Sequence, residues 1–457
     1  MNRIATAFLL CSAFTAATVG AEDPALRPLA IAPTHMVEIP GPVEIAGRKV
    51  EWFHHPMDPA WNSKKPDAIR RFAVLHPVEG MEPAEGAPLI LDLHSHGYSV
   101  VSLVKTLDKP GNHDIWKGPP EYFLLVPDCA PRPPKESPDF WWCCWDHFSM
   151  PTAQGLADTG LDLSACEKRV LDTLEWTIRT YKIDRNRVYV CGNSMGGQGA
   201  LGIGLNHGDI FAAIKANVPA GVWFATTRMG MTDGEGNDVP LHDIPFSRFP
   251  DPPVCVEYSS PADKWSKDHE VLIRNMERCR YSLLSYWGNF HHAHADEAVL
   301  HCNDIVHSFD WLSVRLNEAY AVFTHADCDD TLPWGRFPDA GTDRFSGDIS
   351  PGQINAYFRW KSKVDEPDRF AMDLWVMSEE ELDSTMFTPP AKAKADVSLR
   401  RLQRFPHAPG SRFAWTYGAA SGEVEADENG LLTLPGLTLS QTHATLELKP
   451  LSGAPQP

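Results

Sequence analysis

Val188-Tyr-Val-Cys-Gly-Asn-Ser-Met-Gly-Gly197 decides how this chain is read. Val188 to Cys191 is apolar enough for a buried strand, and Gly196-Gly-Gln-Gly-Ala-Leu-Gly-Ile-Gly-Leu205 opens a helix with small residues for close packing. Ser194 falls between them, inside Gly192-x-Ser194-x-Gly196. A nucleophilic serine needs that placement. The sharp strand-to-helix turn lifts its Oγ above the sheet, and the glycines allow a strained backbone and close helix contact. The helix N-terminus also aims N–H groups at developing negative charge. A bare GxSxG is also what a Gly-rich turn shows; the strand before it, the helix after it and Gly197 favour the nucleophile.

On both sides of this stretch, strand-like runs alternate with helical patterns from about residue 71 to 303, the signature of a mostly parallel sheet covered by helices. The runs are Phe72–His76, Pro88–Leu93, Tyr122–Val126, Arg187–Cys191, Ala212–Asn217, Val254–Tyr258 and Tyr281–Tyr286. Between the third and fourth, Ser164-Ala-Cys-Glu167 reads as a capping box, followed by Val170, Leu171, Leu174, Ile178 and Tyr181 at helical spacing. Residues 327–351 are rich in Gly, Pro and Asp and read as a linker. Short alternating segments over 352–450, with the turn Asn429-Gly430, predict a β-sandwich. The predicted class is therefore α/β, a hydrolase-type sheet domain over 22–326 with an N-terminal β extension, and a C-terminal β-sandwich.

The 457 residues carry 41 Lys and Arg against 60 Asp and Glu, a net charge of −19 that disfavours nucleic acid and anionic membrane as partners. Residues 1–21 combine Arg3, an apolar run and a Val19-Gly20-Ala21 site, as expected of a cleaved signal peptide and a secreted or periplasmic protein without a membrane anchor. Of the ten cysteines, Cys11 lies in that signal, which leaves an odd number in the mature chain. Some disulfides are expected in an exported protein, without a deducible pairing.

A serine hydroxyl needs a base to take its proton and an acid to orient that base. Asp263 lies in the loop after the strand Val254–Tyr258, where the acid belongs, with Asp251 and Asp268 as alternatives. The next strand runs into Gly288-Asn-Phe-His-His-Ala-His294, so the base is one of His291, His292 and His294.

Tyr181-Lys-Ile-Asp-Arg-Asn-Arg-Val-Tyr-Val190 leading into GNSMGG, the SSPADKW loop and the GNFHH turn resemble secreted α/β-hydrolase-fold esterases. That group includes feruloyl and acetyl esterases, polyhydroxyalkanoate depolymerases and prolyl-oligopeptidase-like proteins. The resemblance spans about Leu89 to His294 and implies His292 as the base, after a Gly-His pair of such hydrolases. It also implies an oxyanion hole from the Met195 and Tyr98 amides, the latter in Leu93-His-Ser-His-Gly-Tyr-Ser99, where His96 or Gly97 is the alternative register. Trp141, Trp142 and Trp145, in the long loop after the third strand, are expected to wall the acyl pocket or stack on sugar rings, or else to fix the loop as a minor core. The expected activity is a carboxylesterase working without a cofactor through Ser194, His292 and Asp263, on polysaccharide-linked acetyl or feruloyl esters by analogy of architecture. The alternatives are a peptidase of prolyl-oligopeptidase type and a metal-dependent amidohydrolase, since Asp92-Leu-His94-Ser-His96 is also a metal-ligand spacing that the later histidines complete. In the sandwich, Trp360, Trp375 and Trp415 sit in alternating strands and are expected in its core, with carbohydrate binding as the lesser alternative.

Overall fold

The computed structural model describes residues 29–61, 67, 69–109, 117–129, 163–233, 235–246, 251–266, 269–292, 308–334, 350–382, 384, 386 and 387–451. Residues 1–21, expected to be a signal peptide, and Trp141, Trp142, Trp145, His294, Asp268, Cys143, Cys144 and Cys302 lie outside them.

Among the described residues, eleven strands form the main sheet. Its principal members are β1 (Arg48–Pro56), β2 (Ile69–Val78), β3 (Leu89–Leu93), β4 (Phe123–Pro127), β5 (Val188–Asn193), β6 (Ala213–Asn217), β7 (Val254–Ser259) and β8 (Leu283–Trp287). They lie in the order β1-β2-β4-β3-β5-β6-β7-β8. The β1–β2 and β2–β4 pairs are antiparallel, and every later pair as far as β7–β8 is parallel. This is the α/β-hydrolase order, with the sharp turn after the central strand β5. β3 to β8 are buried along their whole length, which is why they read as continuous apolar runs and not as alternating ones.

The helices divide between the two faces. One apolar cluster joins α2 (Ala165–Thr180), α3 (Met195–Gly204), α4 (Trp223–Arg228) and α5 (His269–Arg278) to one side of the sheet. On the other side, α1 (Val100–Lys105) and Trp311 belong to a cluster that runs without a break into the C-terminal sandwich. The cap of α2 differs from a full capping box. Ser164 Oγ accepts the Glu167 N–H at 3.1 Å, but the Glu167 carboxylate is wholly buried against Arg228 (2.7 Å) and His207 (3.2 Å). A helix-start signal in the sequence is thus spent on a tertiary ion pair.

The sandwich stacks a three-stranded sheet on a five-stranded one. β9 (Tyr320–Thr324), β13 (Lys392–Arg400) and β16 (Leu432–Ser440) make the first. The second runs β11 (Phe358–Glu366), β12 (Arg369–Val376), β17 (Ala444–Pro450), β14 (Arg412–Tyr417) and β15 (Ala420–Glu425). The boundaries expected from composition need correcting here. β9, expected at the end of the sheet domain, belongs to the sandwich. β10 (Gly352–Ile354), expected to begin the sandwich, pairs antiparallel with β8 and extends the main sheet. The two units therefore exchange strands on either side of the segment expected as a linker, of which residues 335–349 lie outside the described residues. Trp360 packs on Phe309, Tyr320 and Phe323. Trp415 joins the same core from its edge, and Trp375 stacks on His443 at 4.0 Å. Cys255, Cys279 and Cys328 are free thiols.

Candidate active site

The turn after β5 is as strained as the sequence requires. Ser194 has φ 56° and ψ −116°, a left-handed φ that a side-chain-bearing residue adopts at a cost of about 1 kcal/mol or more. The turn is held on three sides: Ser194 N–H donates to Asn217 O (2.9 Å), and Ser194 O accepts the N–H groups of Gln198 (3.0 Å) and Ala220 (3.1 Å). The flanking glycines are there for space. A Cβ on Gly196 would stand 1.7 Å from Leu93 O, one on Gly192 2.4 Å from Gly196 C, and one on Gly197 2.7 Å from Asn217 O. Beside the turn, Val218 has φ 36°, so a β-branched residue is strained there too.

Three segments at the C-terminal ends of the parallel strands β5, β7 and β8 then meet. His292, beyond β8, places Nε2 2.7 Å from Ser194 Oγ. Its Nδ1 lies 2.6 Å from Oδ2 of Asp263, beyond β7. Asp263 is 3% exposed, and its second oxygen accepts the Trp265 N–H at 2.9 Å. Because the carboxylate can only accept, Nδ1 carries the ring hydrogen, and Nε2 presents its lone pair to the serine hydroxyl. The imidazole is thus aligned to take the Ser194 proton.

The other candidates are placed elsewhere. His291 turns away, its Nδ1–H donating to Ala262 O at 3.2 Å. The loop of Asp263 thus engages the two rings at separate points, and it is His292 that reaches the serine. Asp251 precedes β7, at the far end of the strand from Asp263, and faces Arg400 at 3.8 Å.

The loop after β3 is latched to the elbow. Ser95 Oγ donates to Asn193 O and accepts from Asn193 Nδ2, both at 3.0 Å. Buried His94 donates from Nδ1 to Ser95 O (2.9 Å) and accepts the Cys129 N–H at Nε2 (3.1 Å). Both nitrogens of His94 and both of His292 are therefore engaged by other groups of the protein. Among the described residues, no group of three or more His, Cys, Asp and Glu side chains is placed to hold a metal ion. Met195 is the first residue of α3, so its N–H has no acceptor within the helix and lies beside the serine. Tyr98 N–H is not idle at rest. It donates to Ser95 O at 3.2 Å, across a turn in which Gly97 has φ 83°.

Two features of the site escape a reading of motifs. The Ser95–Asn193 latch joins residues far apart in the chain. Trp265, two residues after the acid, is 42% exposed, the most open of the Trp, Tyr and Phe rings among the described residues.

No protein-family model matches the chain, and no curated protein matches it. Among solved structures, fluorophosphonate-binding serine hydrolase F of Staphylococcus aureus is similar over 58% of this chain and 99% of its own, with 12% identity and a TM-score of 0.36. An S-formylglutathione hydrolase from Agrobacterium tumefaciens is similar over 58% of this chain and 92% of its own, at 15% identity and a TM-score of 0.36. A ferulic acid esterase from Anaeromyces mucronatus, in complex with ferulic acid, is similar over 57% and 89%, at 17% identity and a TM-score of 0.36. These likenesses are distant, and it is the strand order together with the turn at Ser194 that carries the assignment to the α/β-hydrolase fold.

Proposed function

We propose that the chain is a serine hydrolase that cleaves carboxylic esters through an acyl-enzyme. One observation carries the reading: the continuous contact Ser194 Oγ, His292 and Asp263, at 2.7 and 2.6 Å, on a strained strand-to-helix turn. Ser194 Oγ attacks the ester carbonyl carbon while its proton passes to His292 Nε2, and Asp263 stabilises the imidazolium that forms. The oxyanion is received by the Met195 N–H and by the Tyr98 N–H, which exchanges its long bond to Ser95 O for a stronger, charged acceptor. His292 then gives its proton to the departing alkoxide. Water, deprotonated by the same imidazole, attacks the acyl-serine and releases the acid. In this proposal the enzyme is exported, with residues 1–21 removed, and its first substrates to screen are acetyl and feruloyl esters of polysaccharides.

The test is fluorophosphonate labelling of the purified protein beside Ser194→Ala. Labelling of the wild type alone, at Ser194, is expected. A correctly folded wild type that takes up no label refutes the proposal.

A further inference from the structure

The loop that carries the acid is held from behind by residues that the proposed mechanism does not use. Ser266 closes the loop. Its N–H donates to Asp263 O (3.0 Å), and its Oγ lies 2.8 Å from Asp263 O and 2.6 Å from Ser260 O. Two groups grip Ser266 from outside. His269 Nδ1–H donates to its carbonyl oxygen at 3.1 Å, and Trp334 Nε1–H donates to its Oγ at 3.0 Å. The two grips are themselves joined, since the Trp334 indole stacks on the His269 ring with centroids 5.3 Å apart and planes at 16°.

The chain of contacts continues into the sheet. His269 Nε2 lies 3.2 Å from Glu257 on β7, and Glu257 also accepts the hydroxyl of Ser285 on β8. Glu257 and His269 are completely buried, and Trp334 is 6% exposed. The strands that end in Asp263 and His292 are thereby tied to each other and to the loop.

Trp334 does not come from the sheet domain's own run of chain. It lies in the segment that leaves β9 of the sandwich, and that segment is pinned to β10, the strand that extends the main sheet, and to the residue after it. Asp329 accepts the Asn355 N–H at 2.7 Å, and Asp330 accepts the Gln353 N–H at 3.0 Å. We propose that Trp334 is a positioning residue: with His269 and Glu257 it clamps Ser266 and so keeps the Asp263 carboxylate on His292. The sandwich then has a task beyond packing, because the strap that leaves it completes the support of the acid. This inference rests on the Ser194–His292–Asp263 reading.

The full chain is tested by a double-mutant cycle. Trp334→Phe keeps a ring over His269 and removes only the N–H donor, while Ser266→Ala removes the acceptor. With 4-nitrophenyl acetate, Trp334→Phe is expected to lower kcat roughly 3- to 10-fold, the worth of one hydrogen bond, with KM unchanged. In the Ser266→Ala background the same change is expected to cost nothing further. An equal loss in both backgrounds, or an unchanged kcat with only a lower Tm, overturns the positioning role. Fluorophosphonate separates the two levels of the argument. A wild type that does not label at Ser194 defeats the serine reading itself, whereas a wild type that labels and a Trp334→Phe variant that labels equally fast defeat only the clamp.

Discussion

Replacing Asp263 by Asn tests the proton logic of the site without changing its shape. The carboxylate has two distinct oxygens in use: Oδ1 accepts the Trp265 N–H at 2.9 Å, and Oδ2 faces His292 Nδ1 at 2.6 Å. An asparagine can preserve the first contact only by placing its carbonyl oxygen at the Oδ1 position. The opposite orientation would set an NH₂ against the Trp265 N–H, donor against donor. The amide therefore presents NH₂ to Nδ1. A neutral imidazole answers by carrying its hydrogen on Nε2, the nitrogen that must accept the Ser194 proton. The expected loss is about 10⁴ in kcat, or roughly 5.5 kcal/mol of transition-state stabilisation, with little change in fold. The assay is turnover of 4-nitrophenyl acetate at pH 7, with circular dichroism to show that the variant is folded. An Asp263→Asn protein that keeps a tenth of wild-type activity refutes the argument. So does an equal loss in Asp251→Asn, whose carboxylate sits at the other end of β7 against Arg400.

Two glycines with opposite demands give a second test. Gly196→Ala drives a methyl to 1.7 Å from Leu93 O and should cost more than about 3 kcal/mol and abolish labelling, while Gly97→Ala meets nothing within 4 Å and should cost about 1 to 2 kcal/mol for its positive φ; urea denaturation ranks the two. Glu167→Gln strips Arg228 of its buried counter-charge and should destabilise by about 3 to 5 kcal/mol, read from the same urea midpoints. Burial pushes the Asp329 carboxyl up from 3.8 to about 7, against the pull of its hydrogen bond from Asn355 N–H. The folded state therefore holds a proton that the unfolded chain releases, and this group's contribution to stability falls as pH rises from about 4 to 7. Asp329→Asn should remove that slope and leave the protein more stable than wild type at pH 8 but not at pH 3.5, as thermal melts across this range will show.

What was legible in the sequence is what short-range physics decides. Buried parallel strands are apolar throughout because both faces are covered, so β3 to β8 stand out from their surroundings. The elbow at Ser194 is legible for a related reason: its glycines answer to contacts made within the turn and with the adjacent strand. β1 has no such signature. Its burial alternates along Arg48–Pro56, and it was legible only as an unspecified extension before Phe72. β9 fell inside the bounds expected for the sheet domain because nothing in Tyr320-Ala-Val-Phe-Thr324 marks which unit it joins, and its partner residues in β13 lie 72 to 80 positions on. Pairing over that distance leaves no local mark. The same holds for Glu167, whose cap position is written in the sequence while its partners Arg228 and His207 are not.

The division between His291 and His292 shows where such reasoning stops and what replaces it. Both follow the same strand, and the sequence offers no periodicity across a turn to orient them. The choice is made by the acid loop: Ala262 O accepts a hydrogen bond from His291, and Asp263, the next residue, accepts one from His292. One loop thus sorts both histidines, so its position matters twice, once for holding the base and once for turning its neighbour away. That doubles the consequence of whatever holds the loop. Ser266 is the residue through which it is held, and its outside contacts come from α5 and from the strap after β9. If the loop slackened, His292 would lose its orienting carboxylate at the same time as His291 lost its tether. A fall in kcat should therefore come with a fall in selectivity for the correct histidine. Replacing His291 by Ala should do little in the wild type, where that ring is fixed to a carbonyl and faces away from Ser194. In the Trp334→Phe background the same replacement should recover part of the lost kcat, because it removes the wrong imidazole that the loosened loop no longer holds aside. Kinetics of the single and double variants on 4-nitrophenyl acetate decide the matter, and a double variant no faster than Trp334→Phe alone would show that the loop orients His292 without having to restrain His291.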